Sequence, residues 1–140
     1  KLIHKVAMDV SANRLNRVIA WDETGKDLKN LLEKNSFPKI SFIVSREYQL
    51  SSALSYYLKY NNWPHSIEKK ERNLWSPIEE VKKGPSIFVC ELYDCQGDLV
   101  HYYKRFNLPV NYLGEVEILR ENRMIRNLQV YSITPLNKKI

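Results

Sequence analysis

The chain has 140 residues, 44% of them hydrophobic and 27% charged, and a net charge of +6, values typical of one globular domain and not of a fibrous or disordered chain. No apolar run approaches the roughly 18 residues of a membrane span, and the start KLIHKVAMDV lacks the apolar block of a signal peptide. We therefore expect a single domain over residues 1–140, excised from a larger intracellular protein of the nucleus or cytoplasm, with no membrane partner.

The basic excess lies at the two ends of the chain. Residues 1–20 hold four basic side chains and one acidic one, residues 21–95 hold eleven of each, and residues 96–140 hold seven basic and four acidic ones. This distribution is typical of a neutral body with basic ends, which attract anions. We interpret residues 1–20 as a basic arm.

A first helix is predicted over residues 25–34. Thr24 and Asp27 have the spacing of a capping box, although glutamate or glutamine is the usual partner. The apolar side chains that share one helical face are Leu28, Leu31 and Leu32. The β-branched run that follows predicts a buried strand at residues 40–44.

A second helix is predicted after Ser45, because apolar side chains recur at three- and four-residue intervals up to Leu58. Periodicity then stops, and a run of charged residues predicts an exposed loop over residues 62–76. A serine and a proline followed by two glutamates predict a short third helix that ends near Lys83.

The stretch SIFVCELYDCQGDLVHYYKRF is predicted to form a β-hairpin. Two runs rich in β-formers are separated by DCQGD, in which Gly97 supplies the left-handed turn residue. This register buries Cys90 and places Cys95 in the exposed loop, with extended chain between them. We therefore predict no disulfide between the two cysteines, and their spacing does not match a zinc motif.

The same register sets Glu91 opposite His101, the minimum pair for acid and base catalysis. Without a nucleophile near them, we interpret the two side chains as an ordinary cross-strand pair. The sequence thus assigns no catalytic residue, cofactor or metal.

Two further strands, at residues 112–120 and 124–133, are predicted to continue an antiparallel meander with a turn at Glu121 and Asn122. Val116 and Ile118 alternate with two glutamates, which indicates one buried and one solvated face. An alternative function follows from that face: a metal-dependent hydrolase or nuclease in which the metal is held by Asp98, Glu115 and Glu117.

Arginine-rich positions follow the ends of the predicted strands, and arginine suits both phosphate and carboxylate partners. Two tryptophans bound the exposed loop. The predicted partner-binding residues are Lys104, Arg105, Arg120, Arg123, Arg126, Trp63 and Trp75.

These elements predict an α+β domain, in which an N-terminal helix, strand, helix portion packs on a C-terminal antiparallel sheet of about four strands. We expect a non-catalytic interaction module that binds a protein partner through its sheet edge or basic surface. The alternatives are direct nucleic-acid binding and the metal-dependent hydrolase. Salt dependence separates the first two, because affinity that rests on phosphate contacts falls steeply with salt.

Overall fold

The structure is a computed structural model that describes residues 19–37, 39–58, 63–66 and 85–133, with the backbone alone described over 63–66. Its helices are α1 (Trp21–Lys34), α2 (Tyr48–Leu58) and α3 (Cys95–Arg105). Its strands are β1 (Phe42–Ser45), β2 (Trp63–Ser66), β3 (Ser86–Glu91), β4 (Val110–Arg120) and β5 (Arg123–Ile133).

The five strands form one mixed sheet in the order β2-β1-β3-β5-β4. β1 pairs in parallel with both β2 and β3, whereas β5 pairs antiparallel with β3 and β4. The α+β class is confirmed, but the expectation of a purely antiparallel sheet is wrong. Parallel pairing needs a crossover between the strands, and α2 supplies the crossover from β1 to β2.

Helices cover both faces of the sheet. One face carries a cluster of buried apolar side chains from α1, α2 and the strands, among them Leu28, Leu32, Leu54, Leu58, Ile43, Ile87, Val89, Val116 and Ile118. The opposite face, called the α3 face below, packs β1, β3 and β5 against α3 through Val44, Phe88, Cys90, Tyr102, Phe106 and Ile133. The sheet is therefore the middle layer of three.

Helix α1 begins four residues before the predicted start. Its N-cap is Ala20, which has a left-handed φ of 62° and makes no side-chain cap hydrogen bond. Thr24 is fully buried, and its hydroxyl donates to the carbonyl of Ala20 at 2.6 Å. The predicted capping box is therefore wrong, while in the leucine stripe that predicted the helix Leu28 and Leu32 are buried and Leu31 is partly buried.

The predicted hairpin at residues 86–106 is wrong in its second half, because Cys95–Arg105 is the helix α3. Tyr102 and Phe106 lie one turn apart on this helix and are 0% and 3% exposed. Burying that stripe against the sheet outweighs the β-propensity of the tyrosines and valine in this segment. Gly97 lies within the helix and is not among the residues with positive φ.

The helix also brings the two cysteines together. Cys90 and Cys95 form a disulfide with a Cα–Cα distance of 5.0 Å, so the prediction of unbridged cysteines is wrong. That prediction assumed extended chain between them, whereas a turn at residues 92–94 reverses the chain. Cys95 is 7% exposed and not on an open loop. Closing so short a loop stabilises the fold by about 2 kcal/mol on chain-entropy grounds.

Because residues Cys95–Arg105 form a helix and not a strand, Glu91 and His101 are not a cross-strand pair. Glu91 ends β3, where it accepts a hydrogen bond from the Tyr93 hydroxyl at 3.1 Å. His101 is exposed on α3.

The hairpin of β4 and β5 is confirmed. Glu121 and Asn122, the predicted turn residues, have φ values of 52° and 64°. Two successive positive φ values give the twist that joins adjacent antiparallel strands. Val116 and Ile118 are buried, and the glutamates on either side of Val116 are exposed, as the alternation predicted.

Part of the predicted exposed loop at 62–76 is strand. Residues Trp63–Ser66 form β2, at the edge of the sheet beside β1. Trp75, the predicted short helix and the basic arm up to residue 18 lie outside the described residues. Among the helices that are described, none has the length and apolar character required to cross a membrane.

Candidate functional site

The predicted basic residues do not form one surface. Lys104 and Arg105 end α3, shortly before the chain enters β4, whereas Arg120 and Arg123 flank the turn at the far end of that strand. The two ends of this 11-residue strand lie roughly 33 Å apart. Trp63 lies on β2, at the opposite edge of the sheet.

The cations at the β4–β5 turn differ in their contacts. Arg120 forms an exposed ion pair with Glu23 of α1, with 3.0 Å between Nη2 and Oε1. Its neighbour Arg123 is exposed. Surface pairs of this kind add little to stability, so both side chains are available to a partner at little cost.

Arg126 is buried, with 3% of its surface exposed, and its side chain forms hydrogen bonds with the start of α1. Its Nη1 donates to the carbonyl of Ile19 at 2.9 Å and to the hydroxyl of Thr24 at 3.0 Å. Its guanidinium lies 3.7 Å from the centre of the Trp21 ring. Burial lowers the pKa of Arg126 to about 10, and Glu91 opposes that shift. The expectation that Arg126 belongs to an exposed binding surface is therefore wrong.

The three carboxylates proposed to hold a metal are not assembled. Glu115 and Glu117 both converge on the amide of Asn127, at 2.9 and 3.5 Å from its Nδ2. Asp98 instead faces Arg46, with 3.5 Å between Oδ1 and Nη1. Within the part of the chain that the structure describes, no three histidine, cysteine or acidic side chains are grouped as metal ligands.

The outer strand β4 presents an ordered polar strip on the α3 face. The hydroxyl of Tyr112 donates to Gln129 Oε1 at 2.7 Å, and Gln129 Nε2 donates to Asn127 Oδ1 at 2.6 Å. Asn127 in turn donates to Glu115 at 2.9 Å. Burial, followed by the charge of Glu115, raises the pKa of Tyr112. This ladder of hydrogen bonds orients an exposed carboxylate beside the sheet edge.

Within the described residues, β4 is the outermost strand on its side of the sheet, and its outer edge can accept another strand. Among the described residues, β5 is the one strand that pairs with β4. Register shifts between Tyr112 and Gly114 and between Ile118 and Leu119 leave a regular stretch over residues 114–118. Tyr112 and Leu119, at the two ends of that stretch, are 53% and 48% exposed. Unpaired backbone groups on such an edge bind extended peptides by strand addition.

The sequence patterns did not predict a second cluster of side chains. It joins Arg46, which follows β1, to Asp98 and the disulfide at the start of α3. The available signal is the spacing of Leu99, Tyr102 and Phe106 at three- and four-residue intervals, which is typical of a helix. A helix predicted from that spacing would have carried Cys95 and Asp98 in its first turns.

The described residues thus define an α+β protein with a three-layer body, in which β4 is the outermost of the described strands on its side of the sheet. No protein-family model, curated protein sequence or solved structure matches this chain.

Proposed function

We propose that this chain is a non-catalytic interaction module of the nucleus or cytoplasm, which binds a protein partner by strand addition at the outer edge of β4. The observation that carries the proposal is the position of β4, whose regular central stretch is paired on one side by β5. The basic surface that the sequence suggested is divided between the two ends of the sheet, so it supports the proposal less well than the edge does.

The chemistry of the edge favours one kind of partner. A strand added beside β4 brings every second side chain onto the α3 face, about 5 Å from Glu115 or Glu117. Lysine and arginine suit these positions, since both carboxylates are exposed. The intervening side chains fall on the face of Val116 and Ile118, which favours apolar residues. The proposed ligand is an extended segment that alternates basic and apolar residues.

Direct nucleic-acid binding is the alternative, supported by the net charge of +6. The two exposed glutamates on β4 repel phosphate, and the cations at the sheet ends are too far apart to follow one short backbone segment. A steep fall of affinity with salt would favour this alternative.

The test uses a fluorescent ten-residue peptide that alternates lysine and valine, followed by fluorescence anisotropy. We expect the peptide to bind, and Glu115→Gln with Glu117→Gln to weaken binding by about 5-fold, because two cross-strand charge pairs contribute about 0.5 kcal/mol each. Glu47→Gln, an exposed glutamate after β1, is the matched control and should leave binding unchanged.

A second peptide with alternate backbone nitrogens methylated keeps the side chains but lacks the donors needed for pairing. It should bind at least about 10-fold more weakly, since several backbone hydrogen bonds are lost. Equal binding of the two peptides would rule out strand addition. Tighter binding of a ten-nucleotide single strand, with a steep salt slope, would establish the nucleic-acid alternative.

A further inference from the structure

The disulfide lies where two connections leave the sheet in opposite directions. β1 and β3 are neighbouring parallel strands. Helix α2 follows β1 on one face of the sheet, and α3 follows β3 on the other. In sheets of this kind, the crevice outside the carboxyl ends of two such strands is where ligands and reactive groups are usually found.

The two sulfurs of the bond have different surroundings. Cys90 is fully buried within the cluster that contains Phe88 and Tyr102, whereas Cys95 is 7% exposed and is the first residue of α3. The Sγ of Cys90 lies 4.0 Å from the carbonyl oxygen of Gln129, which suits acceptance of an S–H once Cys90 is reduced. An incoming thiolate therefore reaches Cys95 first, and Cys90 is placed to become a neutral thiol.

Asp98 is a buried carboxyl group one turn after Cys95. It is 6% exposed, and its Oδ1 makes no hydrogen bond within the described residues, although Arg46 Nη1 lies 3.5 Å away. Burial raises the pKa of Asp98 to about 6; Arg46 lowers it, while Asp94 and Glu47 raise it further. With this pKa, Asp98 is mostly protonated below about pH 6 and mostly ionised above it.

We propose that Cys90 and Cys95 form a reversible thiol–disulfide couple that exchanges with a dithiol at Cys95 Sγ, with Asp98 as the proton carrier. A thiolate of the dithiol attacks Cys95, the bond to Cys90 breaks, and the electron pair goes to Cys90 Sγ, which takes a proton supplied through Asp98. The second thiol of the reductant then attacks its own sulfur in the mixed disulfide and releases Cys95. The dithiol becomes a disulfide and gives up two electrons and two protons; Cys90 takes one proton, and the other passes to solvent while Cys95 remains a thiolate.

The start of α3 supports the role of Cys95. Backbone N–H groups in the first turn of a helix, together with the helix dipole, stabilise a thiolate. The carboxylate of the N-cap residue Asp94 makes no cap hydrogen bond, so it does not accept from the N–H groups of the first turn. This site is separate from the β4 edge, and neither proposal rests on the other.

The first test follows reduction of the intact chain by dithiothreitol under native conditions, with alkylation and mass spectrometry as the readout. We expect reduction to be at least about 10-fold faster than global unfolding measured by pulse proteolysis. With Cys90→Ser, glutathione disulfide should modify Cys95 readily; with Cys95→Ser, it should modify Cys90 at least about 10-fold more slowly, because access to sulfur controls exchange.

The second test compares Asp98→Asn with Asp94→Asn, which removes the same charge from the same helix end. Each rate is divided by that of the parent at the same pH, so that ionisation of the reductant cancels. Asp98→Asn should slow reduction by about 10-fold at pH 5.5, where Asp98 carries a proton to donate, and this deficit should shrink toward pH 8. Asp94→Asn lowers the pKa of Asp98 but keeps its carboxyl group, so at pH 5.5 it should slow reduction much less than Asp98→Asn does.

Two results would overturn the proposal. Reduction that proceeds no faster than global unfolding would show that the disulfide has a structural role only. An Asp98→Asn ratio that is independent of pH would show that Asp98 carries no proton in the exchange.

Discussion

Gly25→Ala should destabilise the protein by about 1 kcal/mol or more. Gly25 is a buried residue in α1, and a Cβ placed on it would lie 2.6 Å from the backbone carbonyl oxygen of Tyr57 in α2. A backbone atom cannot rotate away as a side chain does, so the two helices must separate. Overpacking of this kind costs roughly 1 to 3 kcal/mol or more, which exceeds the gain of about 1 kcal/mol in helix propensity. Urea unfolding of the two proteins measures the difference.

Gly97→Ala is the matched control for this prediction. Gly97 also lies in a helix, but a Cβ at this position meets no atom within 4 Å. The substitution should therefore stabilise the protein by about 0.5 to 1 kcal/mol, because alanine favours the helix without a packing cost. A loss of stability comparable to that of Gly25→Ala would contradict the helical assignment of Gly97.

Arg126→Ala should destabilise the protein by about 3 kcal/mol. The change removes hydrogen bonds to the carbonyl of Ile19 and the hydroxyl of Thr24, and it removes the guanidinium from the face of Trp21. It also leaves a cavity at a site that is 3% exposed. Lost hydrogen bonds to a charged group and the cavity each contribute on the order of 1 to 3 kcal/mol. Chemical unfolding, with tryptophan fluorescence as one probe, measures the loss.

Arg123→Ala tests whether that loss comes from burial. Arg123 is an exposed arginine three positions earlier in the same strand, and its truncation should change stability by no more than about 0.5 kcal/mol. Equal losses for the two variants would mean that the charge of the strand, and not the anchoring of α1, is what matters.

Local sequence patterns were sufficient to predict several helices and strands. The leucine stripe of α1 and the alternation in β4 record which side of each element faces the core, and both are periodic over many residues. The turn at Glu121 and Asn122 was predictable because two strand patterns stop on either side of it. Helix α3 could not be predicted from composition, because its valine and tyrosines are β-formers and favour a strand, although Leu99, Tyr102 and Phe106 have helical spacing.

The sequence by itself determined the α+β class, the β4–β5 hairpin and its one solvated face, because these follow from apolar spacing along short stretches of chain. Only the tertiary structure decided the order of the strands, the burial of Arg126 and the pairing of Cys90 with Cys95. Each of these depends on which surface packs against which. Arg126 is buried because α1, about one hundred residues earlier in the chain, begins above it. The cysteines meet because a buried aromatic stripe makes α3 a helix, and the turn into that helix reverses the chain.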